Sequence, residues 1–85
     1  MLAEEKVGEV FKFFAEPSVA AINVSDEIKI GDEIQFLGAT TCFKMKVKSM
    51  EIEGESVEKV TAGQKVGIKV PERVRPNDEV YRVTE

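Results

Sequence analysis

Three lysines at alternating positions are the residues of this sequence best suited to bind a charged partner. Lys44, Lys46 and Lys48 lie within the stretch 41–53, with no acidic residue among them. Because strand side chains alternate between two faces, residues two apart lie about 6.6–6.8 Å from each other on one face. The three ammonium groups would then span about 13 Å and could meet two or three phosphates or a row of carboxylates. The alternative explanation is a solvated strand face that protects an exposed edge.

The candidate nucleophiles are four serines, Ser18, Ser25, Ser49 and Ser56, and a single cysteine, Cys42, in a chain that contains no histidine. Serine normally needs a neighbouring base, most often His, to become nucleophilic. Cys42 shares a predicted strand face with Lys44, whose charge favours the thiolate, but a small residue at the start of a strand is the simpler explanation. We therefore expect no catalytic residues and no enzymatic activity.

The acidic residues do not form a pattern typical of a metal site. Glu51, Glu53 and Glu55 alternate, but Gly54 interrupts the strand, and calcium usually requires six to eight oxygen ligands. One cysteine and no histidine leave no common zinc site. The phosphate-binding loop of the Gly-x-x-x-x-Gly-Lys-Ser/Thr type is also missing. No metal, nucleotide or other cofactor is expected.

The charge balance restricts the classes of partner. The net charge of −4 opposes nonspecific DNA binding, which relies on many lysines and arginines that neutralise phosphates. The N-terminus has no secretory pattern, and no apolar run reaches the roughly 18–20 residues that cross a bilayer. We expect a cytoplasmic protein that does not contact a membrane.

Length and apolar composition predict one small all-β domain. The 85 residues allow a single compact core. Twelve Val and six Ile accompany only two Leu, and β-branched side chains pack well on pleated sheets. We predict a flexible N-terminus over residues 1–6 and a single domain over residues 7–85.

The stretch 41–53 is predicted to be the central strand. Phe43, Met45 and Val47 alternate with the three lysines, and the apolar phase then shifts by one residue before Met50 and Ile52 resume it. An extra residue near positions 48–49 is typical of a β-bulge, which would bend one long strand enough to serve two sides of a small barrel.

The remaining elements are predicted to be short strands in hairpins. Residues 7–15 have apolar spacing compatible with a helix, but Gly8 and the aromatic residues favour a strand with an early bulge, which would form a hairpin with 19–26. Further strands are expected at 34–36, 66–70 and 79–83, and Gly63 should adopt a positive φ in a turn. The segment 28–34 is also echoed at 74–80, which indicates two similar entries into paired strands.

Several of these turn and core residues resemble those of a known fold. Gly31-Asp32 before Ile34, Ser49-Met50 after Val47, Ala62-Gly63 before Val66, and Asp78 before Val80 resemble the second-domain β-barrel of translation GTPases such as elongation factor Tu and initiation factor two. The same pattern resembles the small C-terminal barrel of collagenase-like peptidases, some of which act in RNA modification. The resemblance implies a closed or nearly closed antiparallel barrel of six to seven strands.

The resemblance also implies a function as a binding module. We expect a stand-alone, translation elongation factor-like protein that contacts tRNA, rRNA or a ribonucleoprotein through Lys44, Lys46 and Lys48. The alternative is a protein-interaction subunit that supplies in trans the barrel that relatives carry fused to enzymes of RNA modification or to peptidase-like proteins.

Overall fold

The regular structure of the computed structural model, which describes residues 3–84, consists of β-strands without a helix. The ten strands of this range are β1 Ala3–Phe14, β2 Val19–Val24, β3 Ile28–Lys29, β4 Glu33–Leu37, β5 Cys42–Lys46, β6 Met50–Ile52, β7 Glu55–Val57, β8 Lys59–Val60, β9 Lys65–Lys69 and β10 Glu79–Thr84. The prediction of an all-β fold is confirmed. None of these elements is a helix long and apolar enough to span a membrane.

Eight of the described strands form one sheet in the order β5-β4-β10-β1-β2-β9-β6-β7, and β3 pairs with β8. All pairings are antiparallel. In a flat sheet, β5 and β6 would lie six strand spacings apart, about 29 Å. The chain between Lys46 and Met50 can span only about 14 Å, so the sheet must be rolled. In the described range β5 and β7 remain its edges, so the predicted closed or nearly closed barrel of six to seven strands is instead a rolled sheet of eight strands that does not close.

The inner face of the rolled sheet carries the core. Its side chains come from nearly every strand and are mostly β-branched, as the composition predicts. The largest fully buried side chains are Phe36, Ile22, Ile28, Ile34, Met50, Ile68, Val7, Val10, Val47, Val60, Val74 and Val80. Phe43 stacks on Phe36 with ring centres 5.0 Å apart and closes one end of this cluster.

Strand β1 settles the ambiguity over residues 7–15 in favour of a strand. Its register shifts between Lys6 and Gly8 against β10, and between Val10 and Lys12 against β2. The early bulge predicted near Gly8 is therefore present, and a Cβ at this position would lie only 2.6 Å from the Ile22 side chain. Residues 3–6 pair with β10, in contrast to the predicted flexible N-terminus, and residues 1–2 lie outside the described range.

The predicted long strand over 41–53 is wrong as a single element. It is divided into β5 and β6 by residues 47–49, because the backbone of Val47 leaves the ladder. The N–H of Val47 donates to the carbonyl of Asp32, and its carbonyl accepts from the N–H of Gly31, both at 2.8 Å. The predicted shift of the apolar phase is nevertheless correct, since Met50 is buried and Glu51 is exposed.

The contact between the Gly31–Asp32 turn and Val47 is one of three equivalent contacts in the described chain. In each, a turn residue with positive φ donates to a valine carbonyl, and that valine donates back to the next turn residue. The pairs are Gly31–Asp32 with Val47, Gly63–Gln64 with Val24, and Asn77–Asp78 with Val10, at 2.8–2.9 Å throughout. We call these three units the docked turns.

A side-chain acceptor closes each docked turn. In the first turn, Asp32 Oδ2 accepts from the backbone N–H of Lys29 at 3.0 Å. In the second, Gln64 Oε1 accepts from the backbone N–H of Thr61 at 2.7 Å. In the third, Asp78 Oδ2 accepts from the backbone N–H of Arg75 at 2.9 Å. The echo between 28–34 and 74–80 is thus confirmed as two entries into strands, β4 and β10. Residues 60–66 are a third copy of this segment, which is harder to recognise in the sequence because Gln64 replaces the Asp of the other two. The predicted positive φ of Gly63 is correct.

The phase shift in β6 provides a stability test. Met50→Asp would place a carboxylate in the apolar core, at a cost of several kcal/mol, which is comparable with the whole stability of a small domain. Glu51→Lys changes an exposed side chain and should alter stability by about 0.5 kcal/mol or less. We expect Met50→Asp to be unfolded by circular dichroism and Glu51→Lys to melt like wild type. Equal melting temperatures would contradict the burial assigned to Met50.

The docked turns provide a second test, at Gly31. Its φ is 94°, and a Cβ there would meet no atom within 4 Å, so Gly31→Ala isolates the cost of the backbone conformation. That cost is roughly 1–2 kcal/mol, which for a domain of this size lowers Tm by about 4–8 °C per kcal/mol. Asn77→Gly relieves the same strain at φ 79° and is the matched control, expected to melt at or slightly above the wild-type temperature. A thermal melt in which Gly31→Ala equals wild type would contradict this account.

Candidate functional site

The outer face of the sheet contains a floor of very small residues. Cross-strand pairing aligns Lys12, Ala21, Gly67 and Glu51 in one row across β1, β2, β9 and β6. Ala21 and Gly67 occupy the two central positions of the row. Glycine in a strand interior often marks a place where another chain or ligand approaches the backbone closely. The row is therefore a shallow depression between taller side chains on either side.

One wall of this depression is aromatic. The bulge after Val10 shifts the phase of β1, so that Phe13 packs against the core while Phe11 and Phe14 remain 41% and 44% exposed. The Lys65 ammonium lies 5.6 Å from the Phe11 ring centre, and the Lys12 ammonium lies 5.0 Å from that of Phe14. Cation–π contacts at exposed sites contribute about 0.5–1 kcal/mol, which helps to hold the two rings in place.

The opposite wall comes from β6 and the turn that follows it. Glu51, Ile52, Glu53 and Gly54 face the phenylalanines across a cavity of about 680 Å³. The turn bends tightly here because Glu53 and Gly54 both have positive φ. The charged side chains that line this aromatic end are one lysine, Lys65, and two glutamates, Glu51 and Glu53.

A second cavity, of about 400 Å³, lies further along the same side of the sheet and is lined by lysines over an apolar base. The lysines are Lys46, Lys48 and Lys69, and the base consists of Met45, Val70 and Pro71. None of the three forms an ion pair in the described chain, whereas Lys6 and Lys59 do. Glu33 lies opposite Lys46 in the ladder without pairing with it. The lining of this cavity therefore concentrates three positive charges and contains no acidic side chain.

A smaller cavity of about 180 Å³ connects these two spaces. It shares Val19, Glu51 and Gly67 with the aromatic end, and Ser49 and Lys69 with the lysine end. The three spaces form one depression that follows β9 and the two residues after it, from Lys65 to Pro71, about 20 Å at the rise of a strand. We call this continuous depression the outer groove.

The predicted lysine site is only partly brought together. Lys46 and Lys48 line the outer groove, and Lys44 lies in β5 opposite Gln35 without lining it. Lys48 is beyond the end of β5, so the three do not form a single strand stripe. Lys69 was not predicted, although Lys65, Gly67 and Lys69 alternate in the sequence. Whether any of these lysines binds a partner stays a prediction.

The sequence also did not predict the aromatic end of the outer groove. In the sequence, Phe11 and Phe14 are part of the helix-compatible apolar spacing of residues 7–15, and the bulge after Val10, which turns them outward, depends on contacts with residues 77–78. The signal available in the sequence was the presence of two small residues, Ala21 and Gly67, in the interiors of strands.

The structure adds little to the candidates for chemistry. Cys42 is exposed, with the Gln35 amide nitrogen 4.0 Å from its sulfur. No group of three or more Cys, Asp or Glu side chains in residues 3–84 is arranged to hold a metal ion. A polar cluster of Lys6, Glu79 and Tyr81 links β1 to β10, and hydrogen bonds from Lys6 and Tyr81 lower the pKa of Glu79. That cluster joins two strands and lies outside the outer groove.

Comparison with known proteins identifies relatives of this fold. The family model described as the peptidase family U32 C-terminal domain matches residues 4–79. An uncharacterized protease of Methanocaldococcus jannaschii is 41% identical over 81 residues, which cover 94% of this chain and 20% of that protein. A collagenase of Porphyromonas gingivalis is 44% identical over 78 residues, covering 89% of this chain and 22% of the collagenase. The chain thus spans about a fifth of the length of these relatives.

Solved structures give the same fold. The C-terminal domain of a Geobacillus thermoleovorans protein assigned to the U32 peptidases superposes with a TM-score of 0.86 at 22% identity. The match covers 92% of this chain and 91% of that domain. The selenomethionine form of the same domain also gives 0.86, at 23% identity, with 89% and 96% covered. At this level of identity the similarity establishes the fold.

These matches contradict the resemblance to translation factors and confirm the resemblance to the C-terminal domain of collagenase-like peptidases. Classification as an elongation factor-like, RNA-binding translation protein is wrong, because the family that matches is that of collagenase-like peptidases. The misleading residues, among them Gly31, Asp32, Gly63 and Asp78, are those that build the docked turns, and turn chemistry reports the fold rather than the activity. On the family match over residues 4–79, the chain belongs to the peptidase U32 C-terminal domain family.

Proposed function

We propose that this domain is a non-catalytic protein-interaction module that works with a peptidase-type catalytic domain, either within one polypeptide or in trans. The proposal rests on the length of this chain relative to the length of its relatives. Almost the whole chain corresponds to about one fifth of relatives named protease or collagenase. The remaining four fifths of those proteins are large enough to hold a complete catalytic domain.

The surface of the domain supports an interaction role. Interfaces are enriched in aromatic side chains relative to the rest of a protein surface. Phe11 and Phe14 are such residues, and they lie beside a depression with a backbone-level floor. Contacts between domains of one chain commonly bury 600–1,500 Å² and are more polar than permanent interfaces, which suits a groove with both lysines and glutamates.

The side chains of the domain offer less support for independent proteolysis. The chain has no histidine to act as a base, and its one cysteine, Cys42, lies at the sheet edge in β5. The side chains that line the outer groove are mostly lysines, glutamates and apolar residues, and its serine, Ser49, has no histidine in the chain to activate it, so the groove suits recognition better than nucleophilic attack.

The proposal predicts association in trans with the catalytic part of a relative. A ¹⁵N-labelled sample of this chain would be titrated with the Methanocaldococcus jannaschii protease from which the C-terminal domain has been removed, and amide shifts would be followed by NMR. Without a covalent link the effective concentration of the partner is lost, so we expect a dissociation constant of roughly micromolar to millimolar.

The intact relative is the matched control, since its own C-terminal domain should already occupy the docking surface. We expect shifts with the truncated protein and none, or much weaker ones, with the intact protein. Equal shifts with both proteins, or no shifts with the truncated protein at millimolar concentration, would contradict the proposal. Hydrolysis of a peptide by this chain alone would contradict its non-catalytic character.

A further inference from the structure

We propose that the outer groove binds an extended acidic polypeptide segment, with an apolar side chain against Phe11 and Phe14 and carboxylates at Lys46, Lys48 and Lys69. This inference rests on the proposed function and names the surface and the chemistry of its partner. Three features of the groove carry it: its length and continuity, its uneven charge, and the smallness of its floor.

The length of the groove matches an extended chain. It runs for about 20 Å along β9 and the two residues that follow it, which corresponds to about six residues at 3.3 Å each. Its three spaces share lining residues, so a single segment can lie along all of them. A compact ligand would fill one space and leave the others empty.

The charge of the groove is distributed unevenly along this length. The lining of the aromatic end holds one lysine, Lys65, and two glutamates, Glu51 and Glu53, whereas the lining of the other end holds three lysines and no acidic residue. At the other end, Lys46, Lys48 and Lys69 form no ion pair within the described chain. Carboxylates of a partner would compensate these charges. The domain as a whole carries a net charge of −4, which disfavours an acidic segment on most of the surface, whereas the three lysines of this end favour it.

The floor allows the partner's backbone to approach the sheet. Gly67 has no side chain, and Ala21 beside it has only a methyl group. A Cβ at Gly67 would lie 3.3 Å from the Val19 side chain and 3.8 Å from the Glu51 carbonyl oxygen, so a larger residue fits the fold with a small adjustment. The absence of a side chain at this point keeps the centre of the groove open.

The apolar base under the lysines adds to the fit. Met45, Val70 and Pro71 form this base, and lysines commonly lay their methylene stems on such surfaces while the ammonium group stays in water. A glutamate or aspartate side chain can lie across the same base with its carboxylate between the ammonium groups. Charge-assisted hydrogen bonds of this type are the stronger ones in proteins.

The test is fluorescence anisotropy with a labelled hexapeptide containing one phenylalanine, two serines and three glutamates, in that order. Two further peptides replace the three glutamates by glutamines or the phenylalanine by serine. We expect each replacement to weaken binding about tenfold or more, and binding of the glutamate peptide to weaken between 50 mM and 500 mM NaCl because salt screens exposed charges.

Protein variants locate the binding on the groove. Lys48→Glu combined with Lys69→Glu reverses two groove charges, and Lys29→Glu combined with Lys44→Glu reverses two charges outside it. Each Lys→Glu change alters the net charge by −2, so both double variants change it from −4 to −8. We expect about tenfold or greater loss of affinity for the groove variant and less than about twofold for the control. Gly67→Val should also weaken binding while the thermal melt stays close to wild type.

The results separate this inference from the proposed function. Equal losses in the two double variants, or peptide binding that is indifferent to Gly67→Val in a folded protein, would overturn the groove assignment. Binding of the glutamine peptide with unchanged affinity would overturn the acidic partner. If no peptide binds while the truncated relative still does, the inference is wrong and the interaction module stands. If the peptides bind as expected but the truncated relative does not, the partnership with a peptidase domain is wrong.

Discussion

Three pairs of backbone hydrogen bonds are the constraint on which the rest of the described structure depends. In each docked turn, a residue with positive φ and its successor exchange bonds with a buried valine: Val47, Val24 or Val10. Each turn is flanked by apolar residues that enter the core. Because a buried backbone group without a partner costs about as much as a lost hydrogen bond, these contacts fix the positions of turn and valine together.

The docked turns also explain where the sheet bends. At Val47 the backbone bonds to residues 31–32 instead of to a neighbouring strand, so β5 ends there and the chain reaches β6 on the far side of the sheet. At Val10 the bonds go to residues 77–78, and the register of β1 shifts directly afterwards. The same contacts that roll the sheet around its core thus determine which side chains are left outside.

The outer groove is a consequence of those bends. The shift after Val10 turns Phe11 and Phe14 outward, and the end of β5 at Val47 places Lys48 and Ser49 beside β9. The docked turn at Val24 leads directly into Lys65, which lies over the Phe11 ring. The turns that build the fold therefore also determine which side chains line the groove.

The sequence by itself determined the fold class and much of the local structure. Its Val and Ile content predicted strands, the phase shift placed Met50 inside and Glu51 outside, and Gly31, Gly63 and Asn77 indicated turns, because these features depend on side-chain shape and local backbone preference. Only the tertiary structure decided that 41–53 is two strands, that residues 11 and 14 face outward, and that Lys46 and Lys48 meet Lys69 while Lys44 does not. Each of these outcomes depends on hydrogen bonds or strand pairing between residues far apart in the chain, such as Val10 with Asp78. The local pattern of a single sequence does not reveal which distant residues pair.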